Sequence, residues 1–347
     1  MKPIRTNALA CLVALLARVA WCAPVDSGAT PASAGYDLNP IPMTVASADY
    51  EWYDAARQRR VPATIYHPET GPAPFPVILV SHALGGSPAA YAYLARHWAG
   101  RGYMSVLVGH AGSDTGVFAA GGEPRQVLAR AAADPSNAVN RVKDLSFVID
   151  QLAEVNRGDW QLKGWFDLGR IGVAGHTYGG QAALALAGQT LRVADGSECS
   201  LRDPRVKAVI TMSVAPRMGD AAALDVIYGS IRVPCLHMMG GRDDSPLGDI
   251  KAADRRIPFD RTAGADRYRM SLNGADLMIF TDIPGRDEPG SKLPRQHAVI
   301  LACSTAFWDA HLKGDAEAGK WLADGGFADF LGKDGTFEKK AADGPSR

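Results

Sequence analysis

The stretch Ile171-Gly172-Val173-Ala174-Gly175-His176-Thr177-Tyr178-Gly179-Gly180-Gln181-Ala182-Ala183-Leu184-Ala185-Leu186 decides the fold. Its first four residues are small or apolar and read as a buried strand, its last six are Ala- and Leu-rich and read as a helix, and a Gly-bounded turn joins them. Glycines 175 and 179 leave out side chains where such a turn brings strand and helix close together. Strand, sharp turn and helix in this order thrust Thr177 above the sheet at a helix N-terminus, a geometry that presents a nucleophile.

Around this segment, short β-branched runs alternate with helical patterns from about residue 41 to residue 332, without an internal repeat. That alternation predicts one α/β domain. The strands expected are Val77 to Val80, Met104 to Val108, Ile171 to Ala174, Val206 to Met212, Val233 to Met239 and Tyr268 to Leu272. The central ones are almost continuously apolar, so the sheet is expected to be mostly parallel with helices on both faces. Glu51 to Tyr66 reads as an antiparallel hairpin ahead of it. Val142, Leu145, Val148, Ile149, Leu152 and Val155 recur at helical spacing, and Val299 through Leu312 forms a last apolar helix. Two long loops, 109–140 and 244–266, are expected at the carboxyl ends of the strands, where ligands bind in such sheets. Residues 333–347 read as a polar tail without a packing face.

The 347 residues carry 37 Lys and Arg against 37 Asp and Glu, with 47% hydrophobic residues, so a large core is available and no net charge draws the chain to nucleic acid or anionic lipid. Residues 1–22, basic at Lys2 and Arg5 and then apolar from Ala8 to Ala20, read as a secretory signal peptide, followed by a Gly-, Ala-, Ser- and Pro-rich linker over 23–40. The apolar run is too short for a stable membrane span, so a periplasmic or secreted location is expected. Of the five cysteines, Cys11 and Cys22 would leave with that peptide, Cys235 reads as a core residue, and Cys199 with Cys303 is a candidate pair in an oxidising compartment. No CxxC or His-rich spacing calls for a metal, and neither GxxxxGK[ST] nor a suitable GxGxxG calls for a nucleotide, so no cofactor is expected.

Residues 171–186 resemble the nucleophile elbow of α/β hydrolases, with Thr177 where those proteins normally carry Ser. The resemblance extends over most of residues 45–325. His82-Ala83-Leu84-Gly85-Gly86 is similar to the His-Gly-x-Gly-type loop of dienelactone hydrolase and platelet-activating-factor acetylhydrolase relatives and of cutinase-like polyesterases, with Ala83 replacing a Gly. It implies an α/β-hydrolase fold with an oxyanion hole made by the Leu84 and Tyr178 backbone N–H groups. Met238-Met239-Gly240-Gly241-Arg242-Asp243-Asp244 resembles the family's acid loop, which makes Asp243 the carboxylate expected to orient a base, with Asp244 as its alternative. The segment that carries the base in those relatives reads Asn273-Gly274-Ala275-Asp276-Leu277, so Leu277 stands in the place of the His. His297, about one loop further on, is the best spare base; His176, His237 and His82 are placed elsewhere by the pattern, and His110 is expected to line the cleft, as are Phe118, Tyr178 and Phe280.

Two functions are compatible with these residues. One is an exported carboxylic-ester hydrolase working by acyl transfer on a small-molecule or polymeric ester, with Thr177, His297 and Asp243 as an altered triad of reduced activity. The other is a silenced binding protein that keeps the pocket and the oxyanion donors. Leucine neither accepts nor returns a proton, and loss of a triad base lowers turnover by roughly 10⁴-fold or more.

Overall fold

The computed structural model describes residues 36–38, 42–158, 161–192, 195–282 and 293–343. The expected signal peptide and most of the linker lie outside them. The hairpin is present: β1 (Val45–Asp54) runs antiparallel to β2 (Arg59–Pro68) in register Val45 to Pro68. β3 (Phe75–Ser81) follows, then α1 (Ala92–Gly100) and β4 (Met104–Val108). After α2 (Pro124–Ala133) and α3 (Pro135–Gly158) comes β5 (Phe166–His176), which turns directly into α4 (Tyr178–Ala187). A two-stranded ribbon of β6 (Thr190–Arg192) and β7 (Glu198–Ser200) precedes β8 (Val206–Met212), α5 (Ala221–Tyr228) and β9 (Cys235–Gly240). The chain closes with α6 (Ile257–Arg261), β10 (Arg267–Leu272), α7 (Leu293–Trp308), α8 (Ala316–Ala323), α9 (Gly326–Leu331) and β11 (Gly335–Lys340).

Nine strands form one sheet in the order β1-β2-β4-β3-β5-β8-β9-β10-β11, parallel from β4 through β10. The sequence explains the parallel centre. Every residue of β3, β4 and β9 is buried, because such strands are covered on both faces by crossover helices. One core layer packs Val142, Leu145, Val148 and Leu152 of α3 and the Ala-rich α4 on one side, and the other packs Trp98 of α1 with Phe307 and Trp308 of α7 on the opposite side. This is the α/β-hydrolase fold, and its order places the turn after β5 at the centre of the sheet.

Four expectations need correction. Residues 335–340 are no free tail: they pair antiparallel with β10 as an edge strand, and Phe337 packs edge-on against Phe327 at 4.7 Å. The long loop 109–140 contains α2 and the start of α3, and the loop 244–266 contains α6, because their apolar spacing is diluted by charged residues. Cys199 and Cys303 are both free thiols, the latter fully buried in α7. His110 does not line a cleft; it is fully buried beneath the sheet's carboxyl edge.

Candidate active site

Thr177 sits between β5 and α4 with φ 47° and ψ −107°, a left-handed region that strains a β-branched residue by about 1–3 kcal/mol. The turn is held by its own N–H donating to Met212 O at 2.8 Å and by the close approach of two glycines. A Cβ on Gly175 would lie 2.1 Å from Gly179 O, and one on Gly179 would lie 2.1 Å from Ser81 O. Only glycine allows the elbow to press against the end of β3. That contact brings the loop His82-Ala83-Leu84 alongside the start of α4. Neither the Leu84 nor the Tyr178 N–H donates to another described residue, so both donors are free for an oxygen of a ligand.

The Thr177 hydroxyl has no hydrogen-bond partner among the described residues. His297, the spare base expected from sequence, lies in the second turn of α7. Its ring stacks on Tyr93 at 4.6 Å, and its Nε2 donates to Ile279 O at 3.0 Å. A carbonyl only accepts, so that nitrogen carries the proton and is no base. His176, next to Thr177 in sequence, is fully buried and also committed: Nε2 donates to Leu277 O at 2.8 Å and Nδ1 accepts from Tyr91 Oη at 2.7 Å. Burial lowers its pKa to about 3, so it is neutral.

Asp243 is fully buried after β9, as the acid loop requires, but its partners differ from those of a triad acid. Oδ2 accepts from the Ser213 hydroxyl and from Gly240 N–H at 3.1 Å. Oδ1 faces Arg255 Nε at 3.1 Å, an ion pair whose angle is not that of a hydrogen bond, and accepts no hydrogen bond. Burial pushes the Asp243 pKa up against the pull of Arg255. Arg255, 2% exposed, also reaches Asp243 O at 2.6 Å and Ser213 O, so an arginine stands beside the carboxylate where a triad has an imidazole. The neighbouring Asp244 is exposed and caps the Ala252 N–H at 2.9 Å while pairing with Lys251, so it is a surface loop residue. Leu277 is half-buried in a short 3-10 turn capped by Asp276, directly over the elbow through the His176 contact. Phe280 is fully buried against His176, whereas Phe118 is 36% exposed.

A second Ser–His–Asp array was not foreseen. Ser81 Oγ lies 2.9 Å from His110 Nε2, and His110 Nδ1 lies 3.0 Å from Asp144 Oδ2. All three are fully buried. Asp144 is also clamped by Arg57 at 2.7 Å and Arg59 at 2.8 Å; burial works to raise its pKa, but the hydrogen bonds from His110 and Arg59 outweigh it and hold it low. His110 is held near 4 by burial and Arg141, so its contact with Asp144 joins a neutral imidazole to a carboxylate. Ser81 is closed off from solvent, and the array lies beneath the 82–86 loop. Arg141 completes it, bonding Ser81 Oγ at 3.2 Å, Ser113 Oγ at 2.8 Å and the carbonyls of His82 and Ser113, with its guanidinium 5.1 Å over the Tyr178 ring. A lone Ser at a strand end and a His 29 residues later carried no spacing signal that would have revealed this cluster.

A family model described as X-Pro dipeptidyl-peptidase (S15 family) matches residues 58–194. The match spans β2 to the first strand of the ribbon, with the oxyanion loop and Thr177 inside it and Asp243, Leu277 and His297 outside it. No curated protein matches the chain. The match covers part of the sheet whose strand order is that of the α/β-hydrolase fold, and it does not distinguish the relatives of finer resemblance noted from the motifs.

Proposed function

We propose, from this α/β-hydrolase fold, that the chain is an exported protein of carboxylic-ester hydrolase descent that binds an acyl ligand at the elbow and turns it over slowly at most. The observation that carries the reading is the Thr177 hydroxyl without a partner among the described residues, together with an Asp243 carboxylate held by Ser213 and Arg255. Acyl transfer needs a base within about 2.6–3.2 Å of the nucleophile's proton, or one water away. The imidazoles of His176 and His297 are each tied to a backbone carbonyl. Two features of a carbonyl site persist: the free Leu84 and Tyr178 N–H groups, and the positive end of α4 beneath them. Backbone donors survive side-chain replacement, which is why binding outlasts catalysis in this reading. The ligand class is a neutral acyl compound, because the charged side chains next to the elbow among the described residues, Arg141 and Arg255, are buried and already paired.

A hydrolysis-resistant amide analogue of a short p-nitrophenyl ester is expected to bind saturably in a calorimetric titration. Leu277→Trp, which fills the space over Thr177, is expected to abolish that binding. Absence of saturable binding by the unaltered protein would reject the reading.

A further inference from the structure

Three loops meet at the elbow: the oxyanion loop after β3, the elbow itself, and the turn after β10 that carries Leu277. A buried chain of hydrogen bonds runs through all three. The Ala83 N–H donates to Tyr91 Oη at 3.2 Å, the Tyr91 hydroxyl meets His176 Nδ1 at 2.7 Å, and His176 Nε2 meets Leu277 O at 2.8 Å. Direction is fixed by chemistry. Leu277 O only accepts, so His176 carries its proton on Nε2; Nδ1 then accepts from the Tyr91 hydroxyl, whose oxygen is left to accept from Ala83. Every polar atom of both side chains is satisfied, and neither competes for a ligand. Tyr91 is 1% exposed and His176 fully buried.

We propose that Tyr91 and His176 are positioning residues of the acyl site, a cross-brace that sets the Leu84 N–H, one residue beyond Ala83, relative to Thr177 and to the Leu277 turn. The inference rests on the acyl-site reading above. It assigns a role to a histidine whose place beside Thr177 otherwise invites the reading of a base. Tyr91 needs no hydroxyl for packing alone: its ring already lies against His176 at 5.8 Å, so a phenylalanine would fill the same space. The hydroxyl ties the 82–86 loop to His176 and through it to the Leu277 turn, which the Asp282 N–H to Ala90 O bond at 2.9 Å and the Tyr93 Oη to Phe280 O bond at 3.3 Å also join to the segment carrying Tyr91. Elsewhere in the fold, Ser81, His110 and Arg141 support the oxyanion loop from below; the brace holds it from the side of the Leu277 turn.

The test is amide exchange read by mass spectrometry on the full chain, comparing Tyr91→Phe and His176→Gln with the parent. The brace predicts that Tyr91→Phe speeds exchange about tenfold both in the 82–86 segment and in the 277–280 segment, with β5 unchanged. His176→Gln is expected to loosen the same two segments. Loosening confined to 82–86 in Tyr91→Phe would overturn the proposal, because the contacts would then be independent local bonds. A second readout uses Thr177→Ser/Leu277→His as background, where adding Tyr91→Phe is expected to lower kcat about tenfold with KM nearly unchanged. An equal change in KM alone would also overturn it. If the background itself is inactive, the acyl-site reading fails while the exchange comparison still decides the brace.

Discussion

Thr177→Ser together with Leu277→His is expected to raise the hydrolysis of a short p-nitrophenyl ester by roughly 10²- to 10³-fold over the unaltered protein. The two changes act on different deficits. Serine removes the methyl that crowds attack and relieves part of the strain at φ 47°. Histidine supplies the missing proton acceptor on a turn that His176 already docks onto the elbow through Leu277 O. Each change alone is expected to give little, because a nucleophile without a base and a base without an attack path both leave the residual rate of binding and oxyanion stabilisation. The gain stops short of a full triad because Asp243 stays paired with Arg255 and Ser213. A double variant that folds but gains nothing would mean that the three loops are not arranged as a hydrolase site.

The second large effect is on stability. His82, His110, His176 and His237 are all fully buried, and burial is the first cause that lowers each pKa: well below the ordinary value for His82, to about 4 for His110 and to about 3 for His176 and His237. A histidine neutral when folded and free to protonate when unfolded contributes stability that is complete above the unfolded pKa near 6.5 and is lost as pH falls through the window down to the folded value. Each such group gives a slope of about 1.4 kcal/mol per pH unit well inside that window. These four together give a slope of about 5 kcal/mol per pH unit near pH 5, and His97 and His311, each also lowered to about 4 with burial as the first cause, add to it. The thermal midpoint is therefore expected to drop by about 10 °C or more between pH 7.5 and pH 5. Asp144 and Asp260, held low in the fold, lose their contribution only below the ordinary carboxylate range, and the raised pKa of Asp243 works in the opposite direction. His237→Gln, which keeps a partner for Thr211, is expected to flatten the slope by about a sixth. A midpoint independent of pH down to 5 would contradict the neutral, buried state of these imidazoles.

The central sheet was legible because its strands are apolar on both faces: Met104 to Val108 and Val206 to Met212 match β4 and β8 residue for residue. The elbow was legible because its two glycines answer to close approaches that no side chain would allow, Gly175 against Gly179 and Gly179 against the end of β3. The edge strand β11 was hidden by its charged residues Glu338, Lys339 and Lys340, two of which find partners only in the fold, Glu338 in Arg269 and Lys340 in Asp260, while the backbone pairs with β10. At the site, the sequence placed Asp243 in a turn after a strand but gave no sign of the partner it meets there. Arg255 lies in a charged loop, and nothing in its neighbours Asp254 and Arg256 marks it as the residue that enters the core to meet Asp243. Partner choice among buried charges is a three-dimensional property. For the same reason His297 looked available in sequence, whereas the fold gives its Nε2 proton to Ile279 O.

All of this turns on whether the Thr177 hydroxyl can lose its proton to a neighbouring group. The direct measurement is the time course of p-nitrophenyl butyrate hydrolysis by the unaltered protein and by Thr177→Ala at pH 7.5. The account predicts no initial burst of one equivalent of nitrophenol, and rates for the two proteins within about tenfold of each other. A stoichiometric burst followed by fast turnover that Thr177→Ala abolishes would contradict it.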